Sequence, residues 1–426
     1  MVMKKHEEVL KEVLDKIKPS KKDIEEISSK TKEFLNTVKE RIKKEKMDAE
    51  VFVGGSFAKK TVIKKGKYDV DIFIRYGKKH LYEDFSILTS RLLKEFKDVS
   101  KVHGSRDYFV IKQTSNFFIE VIPVKKIKNA EKAENITDLS YSHVNYINKK
   151  IKSEKILDEI KIAKAFCYAT NCYGAESYIK GFSGYGLELL IYYYKNFFNF
   201  VKAMTMAREK IIIDIEKEYK NKKQILLDLN SSKLSSPIIL IDPTYRQRNV
   251  LAALSQETFE KFKKECKKFI KNPNPALFEE KKQDIEKIRK KSQENKENFV
   301  CLEITTSKQA GDIAGSKLLK FFNHLKEEVK KNFEIKKEEF CYEGEKKSKI
   351  FLSVRLKKST LLQGPLANDE LNAKAFKKKH KKTFVKNKRL YAENDSEKDL
   401  KKFIEKWVNK NKDKMQDMAI EELNIN

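Results

Sequence analysis

Asp69 and Asp71 stand two apart in YDVDIFIRY, a run whose β-branched and aromatic residues predict a strand, so both carboxylates project from one face. Side by side they repel. Burying them among Val70, Ile72, Phe73 and Ile74 is costly unless a cation compensates, and the oxygen donors ask for a divalent metal. The plain alternative puts both on the solvent face of an amphipathic strand. A third carboxylate, Glu120, sits in FFIEVIPV, an apolar run where a charge has no structural reason to stand. If that strand neighbours the first, the three carboxylates converge and can hold two Mg2+ ions. One ion would lower the pKa of an attacking hydroxyl, and the other would bind a triphosphate and stabilise the leaving pyrophosphate. Upstream, Gly54, Gly55 and Ser56 end a strand and open a short helix, a turn able to offer backbone N–H groups and a hydroxyl to phosphate oxygens. A Gly-Gly-Ser turn alone is commonly just a turn. The order of turn, short helix, DxD strand and later carboxylate strand is far more specific than any one member.

These residues need elements to position them. EVFVGG, YDVDIFIRY, DYFVIKQ and FFIEVIPV read as strands, SFAKKTVIK as a short helix and YEDFSILTSRLLKEF as a helix, together a small α/β unit with a mixed sheet. Ahead of it, residues 4 to 46 carry apolar positions at helical spacing, interrupted at Pro19, which predicts two helices. Residues 136 to 270 read as mostly helical, with two aromatic-rich helices around KIAKAFCYATNCYG and YGLELLIYYYKNFFNFVKAM. Residues 271 to 300 read as a solvated helix and a boundary. Beyond them strand-like runs such as FVCLEITT and KIFLSVRLK alternate with helices, before a charged terminal helix near 396 to 420. The expected division is therefore 1–150, 151–270 and 271–426, in an α+β multidomain chain.

Composition narrows the partners. The 426 residues carry 93 Lys and Arg against 63 Asp and Glu, a formal charge of +30, which points to a polyanion, most commonly nucleic acid. The excess is mostly Lys in a chain also rich in Ile and Asn, the look of a biased genome, so charge alone does not decide. The five cysteines, Cys167, Cys172, Cys266, Cys301 and Cys341, are scattered and never form a CxxC pair, which fits a reducing cytosol better than a disulfide framework or a zinc site. The start is charged and amphipathic, and no run of about eighteen apolar residues occurs, so neither secretion nor a membrane span is expected.

The head resembles the nucleotidyltransferase superfamily that holds DNA polymerase β, poly(A) polymerases and CCA-adding enzymes. SHVNYI at Ser142–Ile147, KIAKAFCYATNCYGAE at Lys161–Glu176, GFSGYGLELLI at Gly181–Ile191 and IDPTYRQRNVLAALS at Ile241–Ser255 resemble the archaeal-type, class I, tRNA CCA-adding enzymes. LLQGPL at Leu361–Leu366 and RLYAE at Arg389–Glu393 resemble that family's C-terminal region, so the likeness covers nearly the whole chain. It implies a polymerase β-like catalytic head, a helical neck that completes the nucleotide pocket, and an α+β body and tail for tRNA binding. The implied activity is template-independent addition or repair of the tRNA 3′-terminal CCA from CTP and ATP. Asp69, Asp71 and Glu120 would be the metal-binding catalytic carboxylates. Gly55, Ser56, Lys59, His143, Lys164 and Tyr173 would hold the triphosphate, and Arg248 would read the incoming base. The family usually has Arg where Lys59 stands and Asp where Glu120 stands.

Without the resemblance, His143 reads as a satisfied helix-surface histidine, Lys164 as a solvated lysine, and Arg248 as a surface residue near a helix start. The tRNA would be held by its acceptor and TψC arm through phosphates and shape. The basic run Lys374–Arg389, with Phe376 and Phe384 interleaved, is the candidate contact, its alternative a solvated helix face. A dimer is implied by the family only. Two rivals stay open: another RNA-tailing enzyme such as a poly(A) polymerase, and a non-catalytic tRNA-binding protein. Intact carboxylates count against the second.

Overall fold

The computed structural model describes residues 2–104, 106–280, 285–357, 361–380, 382–393 and 397–425. Its contacts divide the chain into two compact units, residues 1–281 and 282–426.

The first unit opens with α1 (Val2–Ile17) and α2 (Lys21–Lys44), separated at Pro19; Ser20 caps α2 in a reciprocal pairing with Asp23. There follow β1 (Ala49–Val53), the single turn α3 (Gly55–Ala58), β2 (Tyr68–Tyr76), α4 (Phe85–Leu92), β3 (Val99–Val102), β4 (Tyr108–Lys112) and β5 (Phe117–Lys125). The strands form one mixed sheet in the order β1-β2-β5-β4-β3, with β2 and β5 parallel and the other pairs antiparallel. Alternation along the strands decides its two faces. Val70, Ile72, Ile74, Ile119 and Val121 are buried beneath Phe34 and Val38 of α2 and Leu88 and Leu92 of α4. The alternate residues, Asp69, Asp71, Phe118 and Glu120, are left on the opposite face.

The rest of the unit comprises α5 (Ser140–Lys150), α6 (Glu154–Ala169), α7 (Gly184–Tyr194), α8 (Phe197–Met206), β6 (Ile211–Ile213), α9 (Lys222–Asp228), α10 (Ser231–Leu234), β7 (Ile238–Asp242), β8 (Tyr245–Asn249) and α11 (Gln256–Lys271). Phe166, Phe182, Phe197, Phe200, Phe262 and Phe269 build its core. Val9, Leu10 and Val13 of α1 join that core, so the two N-terminal helices serve different cores. The aromatic run expected as one helix is two: Lys195 adopts φ 72° and Asn196 caps α8, which ends α7 after Tyr194. The small sheet β6-β7-β8 stands inside a stretch that reads as mostly helical.

The second unit holds α12 (Ile285–Glu294), β9 (Asn298–Thr306), α13 (Asp312–Lys330), β10 (Phe333–Tyr342), β11 (Lys347–Leu356), β12 (Leu361–Leu366), α14 (Glu370–Lys379), β13 (Thr383–Lys386), β14 (Arg389–Glu393), α15 (Leu400–Lys410), α16 (Lys412–Asp417) and β15 (Ile420–Ile425). A four-stranded sheet, β10-β11-β9-β15, packs on α13 and α15 around Phe321, Phe322 and Trp407. The LLQGPL and RLYAE segments are β12 and β14, which pair antiparallel with Leu362 opposite Ala392. The terminal helix expected near 396 to 420 is two helices followed by the edge strand β15. The basic run is likewise not one helix: it leaves α14 at Lys379 and enters the β13-β14 hairpin, whose turn residues Asn387 and Lys388 have φ 49° and 62°. Lys381 of that run lies outside the described residues. Among the described residues, no helix is long and apolar enough to cross a membrane.

Candidate active site

Parallel pairing sets Asp71 directly opposite Glu120, and Asp69 opposite Phe118, so the three carboxylates share one face of adjacent strands. The sequence shows the period of two along β2; the register between strands forty-odd residues apart is a tertiary fact. Burial first, and then the neighbouring Asp69, push Asp71 up to about 6. Burial, Asp71 and Asp69 push Glu120 up to about 8. Both shifts have the sign of carboxylates crowded together in a partly dry setting. Among the described residues no three His, Cys, Asp or Glu side chains are already gathered into a metal set, so these three share a face and a field without meeting at a point. Their chemistry fits a divalent cation: three oxygen-donor side chains on one face of two adjacent strands.

The glycine turn is pressed against this face. Gly54 donates its N–H to the Asp71 carbonyl at 2.8 Å. Gly55 has φ +59°, and a Cβ there would lie 1.6 Å from Asp71 Oδ2, so only glycine allows the turn and the carboxylate to coexist. Ser56 follows, half-buried, and its carbonyl accepts from Thr61 N at 2.9 Å.

Lys59 and Lys164 meet on a buried carboxylate outside the expected site residues. Glu188, at mid-α7 and 0% exposed, accepts from Lys59 Nζ at 2.6 Å through Oε2. Its Oε1 accepts from Lys164 Nζ at 3.0 Å and Thr61 Oγ1 at 2.8 Å. Lys164 is thus no solvated lysine; it is 3% exposed. Burial pushes Glu188 up, yet Lys164 and Lys59 outweigh it and hold the carboxyl at about 2. Tyr173 lies just beyond α6, where its strand-like bridge to Phe182 and a stack on Tyr168 (centroids 3.9 Å apart) bring its hydroxyl beside Gly184. The ammonium of Lys65 stands 3.6 Å from the centre of the Tyr168 ring.

Arg248 and His143 meet on a second buried carboxylate, Asp242. Arg248 Nη1 donates to Asp242 Oδ2 at 2.6 Å, and His143 Nε2 lies 3.0 Å from the same oxygen. Tyr185 donates to Oδ1 at 3.2 Å and stacks on the His143 ring, centroids 4.1 Å apart. Thr244 N and Oγ1 complete the set, both at 2.8 Å. Burial pushes Asp242 up, but His143, Arg248 and the Thr244 N–H hold it well below the usual carboxylate range. Burial lowers His143 more than Asp242 raises it, which favours a neutral ring. Arg248 is not near a helix start. It lies on β8, because Asp242 and Thr244 form a tight side-chain-to-backbone turn that folds the chain back on β7. His143 is on α5 but buried rather than on its surface.

A family model for the second domain of tRNA nucleotidyltransferases matches residues 158–279, the segment that carries Lys164, Tyr173, Glu188, Asp242 and Arg248. A CCA-adding enzyme of Methanocaldococcus jannaschii is 29% identical over 411 residues, 93% of this chain and 89% of that protein. One from Nanoarchaeum equitans is 40% identical over 244 residues, 57% of this chain and 59% of its own length. Over these stretches the chain is similar to archaeal CCA-adding enzymes. Over 64% of its length the chain shares the fold of the Cid1 poly(U) polymerase, which superposes with a TM-score of 0.50 at 15% identity and is covered to 98%. Two carboxylates of this candidate site carry a signal in the sequence. Glu188 interrupts the apolar run GLELLI as Glu120 interrupts FFIEVIPV, and Asp242 ends the apolar run IILID.

Proposed function

We propose that this protein adds and repairs the 3′-terminal CCA of tRNA, taking CTP and ATP without a nucleic-acid template and releasing pyrophosphate. The observation that carries the reading is the register that sets Asp71 beside Glu120 on the Asp69 face, with Gly55 packed against it. Asp69, Asp71 and Glu120 would hold divalent cations, two Mg2+ ions, which when bound lower the pKa of the tRNA 3′-hydroxyl and neutralise the departing pyrophosphate.

The remaining work falls to the chain's own groups. Gly55 and Ser56 approach the triphosphate through the turn, while Lys59, Lys164, Tyr173 and His143 supply charge and donors. Arg248, fixed by Asp242, presents its remaining N–H groups to the base edge and refuses a base that leaves them unpaired. The acceptor and TψC arm would lie on the lysine-rich α14 and β13, where charge meets phosphates in sequence-independent fashion. The setting is the cytoplasm, in keeping with five unpaired cysteines, and the working form is a dimer.

The test supplies labelled CTP, ATP, GTP and UTP singly with Mg2+ to tRNA transcripts ending at the discriminator base, in C and in CC. CTP used on the first two, ATP on the third and a stop after one A are expected. Unlimited A addition to all three would make the protein a poly(A) polymerase, and tight tRNA binding with no incorporation would make it a binding protein.

A further inference from the structure

We infer that Glu188 is a positioning residue for nucleotide binding, a buried carboxylate that keeps Lys59 aimed at the triphosphate without touching the nucleotide. The inference rests on the assignment of Lys59 to the triphosphate.

A lone carboxylate in the middle of α7, flanked by Leu187, Leu189 and Leu190, is a costly choice where leucine would pack. Both its oxygens are spent on groups from elsewhere in the unit: Lys59 and Thr61 from the segment after α3, and Lys164 from α6. Two ammonium groups against one carboxylate leave the cluster a positive charge in surplus.

The two lysines are not equivalent. Lys164 directs its three hydrogens at Glu188 Oε1, Thr61 Oγ1 (2.7 Å) and the Thr61 carbonyl (3.3 Å). Lys59 makes one hydrogen bond among the described residues, to Glu188, and keeps two hydrogens to offer. It is also nearer the surface, at 8% exposure against 0% for Glu188. The order is therefore a chain: Lys164 and Thr61 fix Glu188, Glu188 fixes Lys59, and Lys59 meets the anion. A lysine has no planar fork of its own to set its direction, so the orienting group must come from outside it.

The test measures equilibrium binding of CTP and of inorganic tripolyphosphate to the full chain, with KM and kcat, for Glu188→Gln, Glu188→Asp, Lys59→Gln and the paired substitutions. Glu188→Gln should weaken CTP and tripolyphosphate binding roughly ten- to a hundredfold with a smaller change in kcat, the scale of a lost charged hydrogen bond. Glu188→Asp should recover part of it. Once Lys59 is Gln, either Glu188 substitution should add little. Unchanged CTP affinity in Glu188→Gln below its melting temperature would overturn the inference, as would penalties that simply multiply. If Glu188→Gln fails to fold, Glu188→Asp paired with Lys59→Gln gives the same cycle. Wild-type protein that binds neither CTP nor tripolyphosphate would overturn the triphosphate assignment, and the inference with it.

Discussion

Arg248 Nη1 lies 2.6 Å from Asp242 Oδ2, the same oxygen that His143 Nε2 approaches to 3.0 Å. One fully buried carboxylate therefore sets the direction of a guanidinium and an imidazole from different elements. Asp242→Asn should release Arg248. We expect KM for CTP and ATP to rise roughly tenfold and incorporation of GTP and UTP to become detectable, the cost of one charge-assisted hydrogen bond. Single-nucleotide incorporation measures this; unchanged selectivity would remove Asp242 from base reading.

Asp71→Ala should cut incorporation more than about a thousandfold while leaving tRNA affinity equal or slightly higher, since a negative charge beside RNA is lost. Filter binding and primer extension check the two halves separately. Substantial residual activity would refute the carboxylate assignment.

Relieving the crowding on the same face has a second consequence, readable without catalysis. In EDTA at neutral pH, Asp71→Asn should be more stable than wild type by about 1–3 kcal/mol, because a neutral amide replaces a carboxylate that is buried and crowded by Asp69. Added Mg2+ or Mn2+ should raise the wild-type melting temperature and leave that of the variant nearly where it was.

Glu188 gives a pH signature of opposite sign. Its folded pKa is depressed from 4.5 to about 2. A depressed carboxylate contributes its stability in full above the unfolded value and loses it as pH falls through the folded one. Wild type should therefore shed about 3 kcal/mol from this group between about pH 4.5 and 2. Glu188→Gln should lack that component of the slope. Denaturant titrations of both proteins at pH 5 and 3 compare them; equal slopes would mean that Glu188 is not held as a charged partner.

Lys377, Lys378 and Lys379 close α14. Replacing all three with Ala should weaken tRNA binding at every sequence alike. It should also flatten the dependence of log K on log salt by about two to three, if each lysine neutralises one phosphate. An unaltered salt slope would place the RNA elsewhere.

The sheet and its carboxylates were legible because strands declare themselves by a period of two, and Asp69 and Asp71 need only that period to share a face. Glu120 could be singled out as a charge in an apolar run, but its seat opposite Asp71 depends on a register that no local pattern encodes. Glu188 carries the same signal, but inside a predicted helix one carboxylate suggests a solvated face, whereas this helix is enclosed. The strand that bears Arg248 is hidden for a different reason. β8 is five residues, YRQRN, with neither alternation nor β-branched residues, and it exists because the Asp242 turn returns the chain to β7. The break between α7 and α8 turned on the left-handed backbone of Lys195, a conformation that lysine does not advertise.

The pairing of β2 with β5 also governs which changes in length the chain can survive. Residues 77–116 run from the end of one strand to the start of the other, through α4 and the β3-β4 hairpin, and loops there can be lengthened or trimmed at small entropic cost. A single residue inserted within FFIEVIPV would turn Glu120 toward the hydrophobic side and Ile119 toward the reactive one. Descendants of this gene should accordingly accumulate insertions between the strands and almost none within them, even where substitutions have made the residues themselves hard to recognise.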